Sequence, residues 1–211
     1  MRTLNQGILV AIEGIDGSGK STLAKSLYQQ LTDHQFETVL TKEPGATALG
    51  KQLRTILQEK NVAVCPKAEF LLFAADRAQH FQELVIPALN QHKIVISDRM
   101  NDSSVVYQGH ARGLEQTFIK SVNAWAMQDV KPDITFYIDL PVELALERLK
   151  KRQETLTSFE KEGREFTQKL IEGFDILYKI RTSVIRLDGT QSPDMIATQA
   201  FKAVEDWISQ K

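Results

Sequence analysis

Short apolar runs alternate along this chain with longer stretches in which apolar residues recur at helical spacing. The apolar runs, rich in β-branched residues, predict strands at residues 8–13, 38–41, 94–97, 134–139 and 184–187. The longer stretches predict helices at residues 21–31, 48–59, 67–91, 103–107, 115–130, 142–152, 161–181 and 193–209. This alternation indicates an α/β fold in which a five-stranded parallel sheet is flanked by helices on both faces.

A phosphate-binding motif joins the first predicted strand to the first predicted helix. Residues 14–21 read GIDGSGKS and fit the pattern GxxxxGK[ST]. Glycines let backbone N–H groups converge on phosphate oxygens, the helix adds its positive end, and Lys20 reaches the β- and γ-phosphates. Ser21 is placed to ligate Mg²⁺. The predicted ATP-binding residues here are Gly14, Ile15, Asp16, Gly17, Ser18, Gly19, Lys20, Ser21 and Thr22.

Polar residues follow two further predicted strands. Asp98 and Arg99 come directly after the strand at 94–97, and residues 42–45 follow the strand at 38–41. Because the carboxyl ends of parallel strands share one edge, we expect Asp98 opposite the phosphate loop, where it holds a Mg²⁺-bound water. Arg99 beside it suits bidentate binding of a phosphate. The alternative for both residues is a structural ion pair.

A second pair of residues indicates a binding site for a different kind of ligand. Phe73 and Arg77 are four positions apart and therefore share a face of the predicted helix 67–91. An aromatic ring with guanidinium donors one turn away suits a planar base, by stacking and by hydrogen bonding to a carbonyl group. The alternative is a stripe of phenylalanine and leucine that packs in the core.

Composition limits the number of domains, the partners and the cellular location that can be expected. The chain has 211 residues, 42% of them apolar, which suits one domain with a sizeable core. The 26 basic and 27 acidic residues nearly cancel, so no general attraction to nucleic acid or membrane is expected. Cys65 is the lone cysteine, no apolar run approaches a membrane span, and a signal peptide is not evident. These features predict a cytoplasmic protein.

Four motifs appear in a fixed order at residues 12–22, 42–45, 71–79 and 98–109. They read IEGIDGSGKST, KEPG, LLFAADRAQ and DRMNDSSVVYQG, and together they resemble the thymidylate kinase family. The resemblance continues to the last predicted strand and helix. It implies the P-loop NTP hydrolase fold of nucleoside monophosphate kinases, as a single domain over residues 1–211 with a short lid at about 148–163.

The resemblance also implies an activity. Members transfer the γ-phosphoryl group of ATP to dTMP with Mg²⁺, which yields dTDP for dTTP biosynthesis. By this resemblance Phe73 stacks on thymine, Arg77 donates to its O4 edge, and Tyr107 excludes a ribose 2′-hydroxyl. Asp16 reaches the 3′-hydroxyl or the water shell of Mg²⁺. The implied acceptor-binding residues are Asp16, Glu43, Phe73, Arg77, Arg99, Ser104, Tyr107 and Gln108.

Phosphoryl transfer needs a cation that neutralises charge on the moving group. Some family members carry an arginine within the phosphate loop, whereas this chain has Gly17 and Ser18 there. The resemblance to the bacterial type assigns this role to Arg152 of the lid, with Arg148 as support, and implies that both arginines bind ATP. The alternative is that these cations only favour a helix C-terminus. The implied catalytic residues are Lys20, Arg99, Arg152 and Asp16.

Several positions depart from the family pattern, and other functions stay open. Lys42 replaces a common arginine and loses its bidentate geometry; Ala46, Met100 and Ala111 also differ, and the usual Asp-Arg pair before Phe159 is absent. Another deoxynucleotide or deoxynucleoside kinase, or a non-catalytic nucleotide-binding switch, are the alternatives. The resemblance further implies a homodimer, for which the predicted helices 67–91 and 115–130 offer apolar faces.

Overall fold

Parallel strands form the centre of the computed structural model, which describes residues 4–58, 63–152, 157, 159–179 and 181–210. The strands are β1 (Ile8–Glu13), β2 (Thr38–Lys42), β3 (Ile94–Asp98), β4 (Ile134–Asp139) and β5 (Val184–Asp188). They pair in the order β2-β3-β1-β4-β5, every pair parallel. The predicted sheet is confirmed, and β2, β3 and β5 each extend one residue further into the polar edge.

Helices fill the connections between the strands. They are α1 (Lys20–Asp33), α2 (Ala48–Gln58), α3 (Pro66–His80), α4 (Ile86–Asn90), α5 (Asn101–Ser104), α6 (Gln116–Ala126), α7 (Val142–Lys151), α8 (Arg164–Tyr178) and α9 (Pro193–Ser209). None of these described helices is long and apolar enough to cross a membrane. The last residue of predicted helix 48–59, residue 180 of predicted helix 161–181, and lid residues 153–156 and 158 lie outside the described residues.

Two predicted helices contain π-helical segments, and the helix predicted over 161–181 begins only at Arg164, after a 3-10 turn at Glu160–Glu162. The prediction of one helix over 67–91 is wrong in detail, because a π-helical segment, Phe81–Val85, separates α3 from α4. Pro87 lacks an N–H group and its ring conflicts with the carbonyl four residues earlier, and a widened turn relieves that conflict. The helix predicted over 103–107 is instead α5 followed by a π-helix, Val105–Ala111.

Successive side chains of a strand point to opposite faces of the sheet, and each face packs against its own layer of helices. Ile8, Val10 and Ile12 of β1 point to one face, where they join a core with α1 and α9. Leu9 and Ala11 point to the other face and pack with residues of the π-helical segment and α4. Both faces of the sheet are therefore covered, which leaves the carboxyl edge as the open side where a ligand can bind.

Candidate active site

The phosphate loop, residues 14–21, connects β1 to α1 and is held by close backbone contacts. A Cβ at Gly17, where φ is +82°, would lie 2.6 Å from the carbonyl oxygen of Ala145, so only glycine fits. The Nζ atom of Lys20 donates to the Ile15 carbonyl at 2.6 Å, which folds the side chain across the loop. Burial lowers the pKa of Lys20 to about 8, and the Arg99 charge adds to this effect. A bound anion would offset both the burial of the Lys20 ammonium and its repulsion by Arg99.

The loop has polar atoms suited to a polyphosphate and its metal ion. The Ser18 hydroxyl is buried and has no hydrogen-bond partner within the part of the chain that the structure describes. Ser21 donates a short hydrogen bond to the Asp98 carboxylate. The described residues contain no cluster of three or more side chains of the histidine, cysteine or carboxylate type that could enclose a metal. One hydroxyl and one carboxylate next to a phosphate site fit Mg²⁺, which usually keeps waters and phosphate oxygens as its other ligands.

Arg99 lies beside the loop, at the end of β3. Its backbone adopts φ +72° and donates to the Ile12 carbonyl at 3.0 Å, an uncommon conformation for a non-glycine residue. Its guanidinium contacts the Asp16 carboxylate at 2.6 Å and the Gly14 carbonyl at 2.9 Å, and lies 5.0 Å from the centre of the Tyr107 ring. The Tyr107 hydroxyl donates to the other Asp16 oxygen at 3.1 Å. The structure thus brings together predicted residues from two motifs that are far apart in the sequence.

The charge on Asp16 is stabilised by this arrangement. Burial alone would raise its pKa, but the positive charges of Arg99 and Lys20 outweigh burial and hold the pKa below its usual value. Asp16 therefore stays ionised and keeps Arg99 oriented. Removal of this carboxylate would take away the ion-pair partner of Arg99 and one of the negative charges near Lys20.

Glu13 supports the same edge from behind, although no role for it was predicted from the sequence. Its carboxylate accepts from the backbone N–H groups of Met100 and Ser103 at 2.9 and 3.2 Å, and from the Ser103 hydroxyl at 2.5 Å. Burial, with the nearby Asp102 charge, raises the pKa of Glu13 to about 7. These bonds fix the turn that carries Arg99.

Arg77 lies at the base of the second half of the site. It is 1% exposed, and it donates four hydrogen bonds to protein oxygens. Glu43 lies 2.8 and 2.7 Å from two of its nitrogens; the remaining N–H groups reach Asn123 at 2.7 Å, Ser104 at 3.2 Å and the Met100 carbonyl at 3.1 Å. Protein oxygens therefore already occupy most of the donors that Arg77 could offer to a base.

Glu43 lies beneath Arg77 and is held from its other side. The His80 ring pairs with the second Glu43 oxygen at 2.9 Å and with the Thr41 hydroxyl at 2.7 Å. Burial alone would raise the pKa of Glu43, but Arg77 and His80 together lower it. The structure therefore gives Glu43 a role in orienting Arg77.

Gln108 lines the same pocket and is oriented by Glu69. Its side-chain amide donates to the Glu69 carboxylate at 2.9 Å, and the Nε atom of Arg112 donates to the same oxygen at 2.8 Å. Glu69 and Arg112 were not predicted to be functional. Their contact joins α3 to the end of the π-helix and fixes one wall of the pocket.

The basic C-terminal end of α7 lies beside the phosphate loop. Arg148 donates to the Gly189 carbonyl at 2.9 Å and approaches the Ser18 carbonyl at 3.5 Å, so it bridges the phosphate loop and the turn after β5. Arg152 follows the last residue of α7, and its side chain is 39% exposed while paired with Glu160 at 2.6 Å. Both arginines line the same cavity as the phosphate loop.

Arg54 of α2 is a cation of the site that the sequence did not reveal. It donates to the Pro44 carbonyl at 2.9 Å, and burial is the main factor that lowers its pKa. It lies close enough to Asp98 and Arg99 for their charges to act on it. Within an amphipathic helix that has no motif, nothing in the local pattern distinguished Arg54 from a surface arginine.

One cavity of about 790 Å³ lies at this edge of the sheet, a volume typical of a small-molecule site. Every site residue predicted above lines it except Gly14 and Ile15, which shape the loop behind it. A phosphate loop at the carboxyl edge of a parallel sheet, joined to a pocket with an aromatic ring and arginines, defines a P-loop kinase that acts on a small phosphorylated acceptor.

Comparison with known proteins identifies the family within that class. The family model described as thymidylate kinase matches residues 12–200. A thymidylate kinase of Halothermothrix orenii is 48% identical over 143 residues, or 68% of this chain and 69% of its own length. Those of Carboxydothermus hydrogenoformans and Thermosipho africanus are 43% and 39% identical, over 90% and 94% of this chain and 93% and 98% of their lengths. The chain belongs to the thymidylate kinase family.

Proposed function

We propose that this chain transfers the γ-phosphoryl group of ATP to dTMP in the presence of Mg²⁺ and releases dTDP and ADP. The observation that supports this most directly is the continuous cavity in which the phosphate loop and the pocket around Phe73 adjoin at Arg99. A phosphate oxygen of dTMP attacks the γ-phosphorus while the bond to the bridging oxygen of ADP breaks. The two nucleotides must therefore lie end to end across Arg99.

On the donor side, the phosphate loop binds the polyphosphate of ATP. The Lys20 ammonium leaves the Ile15 carbonyl for the β- and γ-phosphates, which gives this buried cation an anionic partner. Ser21 and Asp98 are the residues that would hold Mg²⁺, directly and through water. When bound, the ion neutralises charge that develops on the phosphate oxygens.

On the acceptor side, the phosphate of dTMP binds between Arg99 and Arg54. Phe73 offers a face for thymine, and Ser104 and Arg77 offer polar atoms at its edge. Tyr107 occupies the region below the sugar, held by its hydrogen bond to Asp16. A ribose 2′-hydroxyl there would meet an aromatic ring and lose its hydrogen bonds to water, which favours the deoxynucleotide.

Arg152 supplies the mobile positive charge of the reaction, and Arg148 orients the loop beside it. The exposed guanidinium of Arg152 lines the cavity, and its ion pair with Glu160 orients it there, so it can stabilise charge on the transferring phosphoryl group. Replacement with alanine should lower kcat by about 10²-fold or more. An Arg152→Ala variant that keeps the wild-type kcat would remove this assignment.

The proposed reaction is tested by acceptor profiling. ADP release is measured in a coupled assay with dTMP, dUMP, dCMP, dGMP and thymidine, each over a range of concentrations. We expect the highest kcat/KM with dTMP and essentially no turnover with thymidine, which lacks the phosphate that binds Arg99. Faster turnover of dCMP or thymidine would favour a different nucleotide or nucleoside kinase, and ATP binding without turnover of any acceptor would favour a switch protein.

The chain also has a surface suited to a second copy of itself. Leu71 of α3 and Phe118 and Trp125 of α6 are large apolar side chains that are 55%, 58% and 78% exposed on two helices packed against each other. Isologous pairing of this face would bury them in a homodimer. Sedimentation should show a dimer that Trp125→Glu dissociates, whereas Ile176→Glu, at a position of α8 that is 64% exposed, leaves it intact.

The cytoplasmic location and the extent of one domain over residues 1–211 stay predictions. Cell fractionation tests the first, and limited proteolysis tests the second. A protease-resistant core much shorter than the chain would contradict the single domain.

A further inference from the structure

The aromatic side chain of Phe159 touches both rings of the acceptor pocket. Its ring centre lies 5.9 Å from that of Phe73 and 5.9 Å from that of Tyr107. Arg112 lies 5.6 Å from the same ring, and Arg112 is itself fixed by Glu69 at 2.8 Å. A residue beyond the end of α7 therefore rests on the surfaces that receive the base and sugar of the acceptor.

The next residue along the chain contacts the other half of the site. The Glu160 side chain is almost fully buried, and one of its oxygens pairs with Arg152 at 2.6 Å. Its second oxygen accepts from the Thr157 backbone N–H at 2.7 Å, which holds the carboxylate in one orientation. Arg152 therefore has its position set by a carboxylate whose own position depends on the turn that contains Phe159.

We propose that Phe159 is a positioning residue that couples the acceptor pocket to Arg152. The chain of contacts runs from Phe73 and Tyr107 to Phe159, then through the adjoining Glu160 to the guanidinium. A nucleotide in the acceptor pocket changes the surface against which Phe159 packs, and that change is transmitted to Arg152. The cation then reaches the phosphates mainly when an acceptor is present, which suppresses transfer to water. This coupling rests on the proposed function, since it requires Arg152 to act on the transferring group.

Steady-state kinetics of single variants give the first test. Phe159→Ala should lower kcat with dTMP by about tenfold or more, while the KM for ATP stays within about threefold, because the lost contact acts through Arg152 and not through ATP binding. Phe159→Leu keeps an apolar side chain at the turn and should recover most of kcat. Glu160→Gln keeps the shape of Glu160 but removes its charge, and should also lower kcat.

Phe166 provides the matched control. Its ring also contacts Tyr107, at 6.2 Å, and Arg112, at 5.0 Å, but it lies on α8 and is not adjacent to Glu160. Phe166→Ala should therefore leave kcat within about threefold of wild type. An equal loss of kcat in Phe166→Ala and Phe159→Ala would mean that aromatic packing in general, and no coupling to Arg152, supports the rate. Thermal unfolding of each variant identifies any general loss of structure.

A double-variant cycle separates coupling from a local structural role. In an Arg152→Ala background the coupled cation is absent, so Phe159→Ala should cause no further loss of kcat. A further loss as large as that in the wild-type background overturns the proposal. Retention of kcat in Phe159→Ala, while Arg152→Ala is inactive, also overturns it and leaves the proposed function intact. Full kcat in Arg152→Ala would instead overturn the assignment of Arg152 itself.

ATP hydrolysis without dTMP provides a second readout. Coupling predicts that dTMP stimulates ATP turnover less strongly in Phe159→Ala than in wild type, because Arg152 no longer responds to the acceptor. The stimulation ratio should fall by about tenfold, in parallel with kcat. A variant with an unchanged ratio contradicts the coupling, whatever its absolute rate.

Discussion

Asn123 illustrates how a single buried amide can determine the state of the acceptor pocket. Its side-chain oxygen accepts from Arg77 at 2.7 Å, one of four hydrogen bonds that this buried guanidinium donates. Asn123→Leu keeps the volume but leaves a charged donor buried and unpaired. We expect a loss of about 2 kcal/mol in the free energy of unfolding and a higher KM for dTMP, with a smaller change in kcat.

The control for Asn123 lies on the same helix. Ser121→Ala removes an exposed hydroxyl that bonds only to the Thr117 carbonyl and should change stability by less than about 0.5 kcal/mol. Denaturant unfolding and steady-state kinetics of the two variants test the contrast. Equal stabilities would show that Arg77 finds another partner when Asn123 is lost.

Asp76 is expected to make stability depend on pH. One of its oxygens accepts from the Gly45 N–H at 3.0 Å, and the other is buried with no partner among the described residues. Burial, with the Glu43 charge nearby, raises the pKa of Asp76 from 3.8 to about 6. The folded state therefore keeps a proton that the unfolded chain has already lost, and the stability contributed by this group falls as the pH rises from about 4 to 6.

The variant Asp76→Asn tests this sign. An amide keeps the acceptor for Gly45 but does not ionise, so the variant should gain stability relative to wild type by up to about 3 kcal/mol between pH 4 and pH 7. Urea unfolding of both proteins at several pH values measures that difference, in which the other titrating groups cancel. A difference that stays constant over this range would exclude ionisation of Asp76 as the cause.

Site residues could be predicted from the sequence where they belong to one local motif. Lys20 and Ser21 lie within a contiguous motif, and Asp98 and Arg99 directly follow a strand, so sequence alone brought them to the same edge. Asn123 meets Arg77 from 46 positions away, a contact that only the fold creates. The role of Arg54 was missed for the same reason.

The phosphate loop and α7 are packed closely enough that their spacing should control ATP binding. Gly17 lies against the backbone of Ala145 in α7, and a Cβ there would be 2.6 Å from its carbonyl oxygen. Gly17→Ala must therefore push the loop away from the helix. Since Lys20 and Ser21 follow within the same loop, we expect the KM for ATP to rise by about tenfold or more.

Gly113 gives the matched control for Gly17. It has a similar φ of +77°, but an added Cβ would meet nothing within 4 Å. Gly113→Ala should incur the same backbone strain, about 1 kcal/mol, and leave the KM for ATP unchanged. The comparison of the two alanine variants thus isolates the effect of loop displacement. Similar KM values in both would mean that strain alone, and not contact with α7, accounts for any change.

At the level of elements, the strands were predictable and the helix interiors were less so. A buried parallel strand is a short apolar run, which is visible at once in residues 8–13 and 134–139. The π-helical segment Phe81–Val85 maintains the helical apolar spacing approximately, so periodicity could not separate it from α3. Pro87 was the available signal, because a proline inside a helical pattern requires a local adjustment.

At the scale of the whole molecule, the continuity of the cavity predicts that one ligand can fill both nucleotide sites and bind more tightly than either nucleotide alone. Lys20 and Arg152 on the donor side and Phe73 on the acceptor side line the same 790 Å³ space, with Arg99 between them. A bisubstrate analogue, with adenosine and thymidine joined through a chain of phosphates, should occupy both halves at once. Because its second half binds at high effective concentration, its Kd should be about 10²-fold or more below that of either nucleotide. Calorimetry measures this, with a phosphate chain too short to span the site as the control. An analogue that binds no tighter than ATP would show that the halves cannot be filled together, and end-to-end transfer across Arg99 would then be excluded.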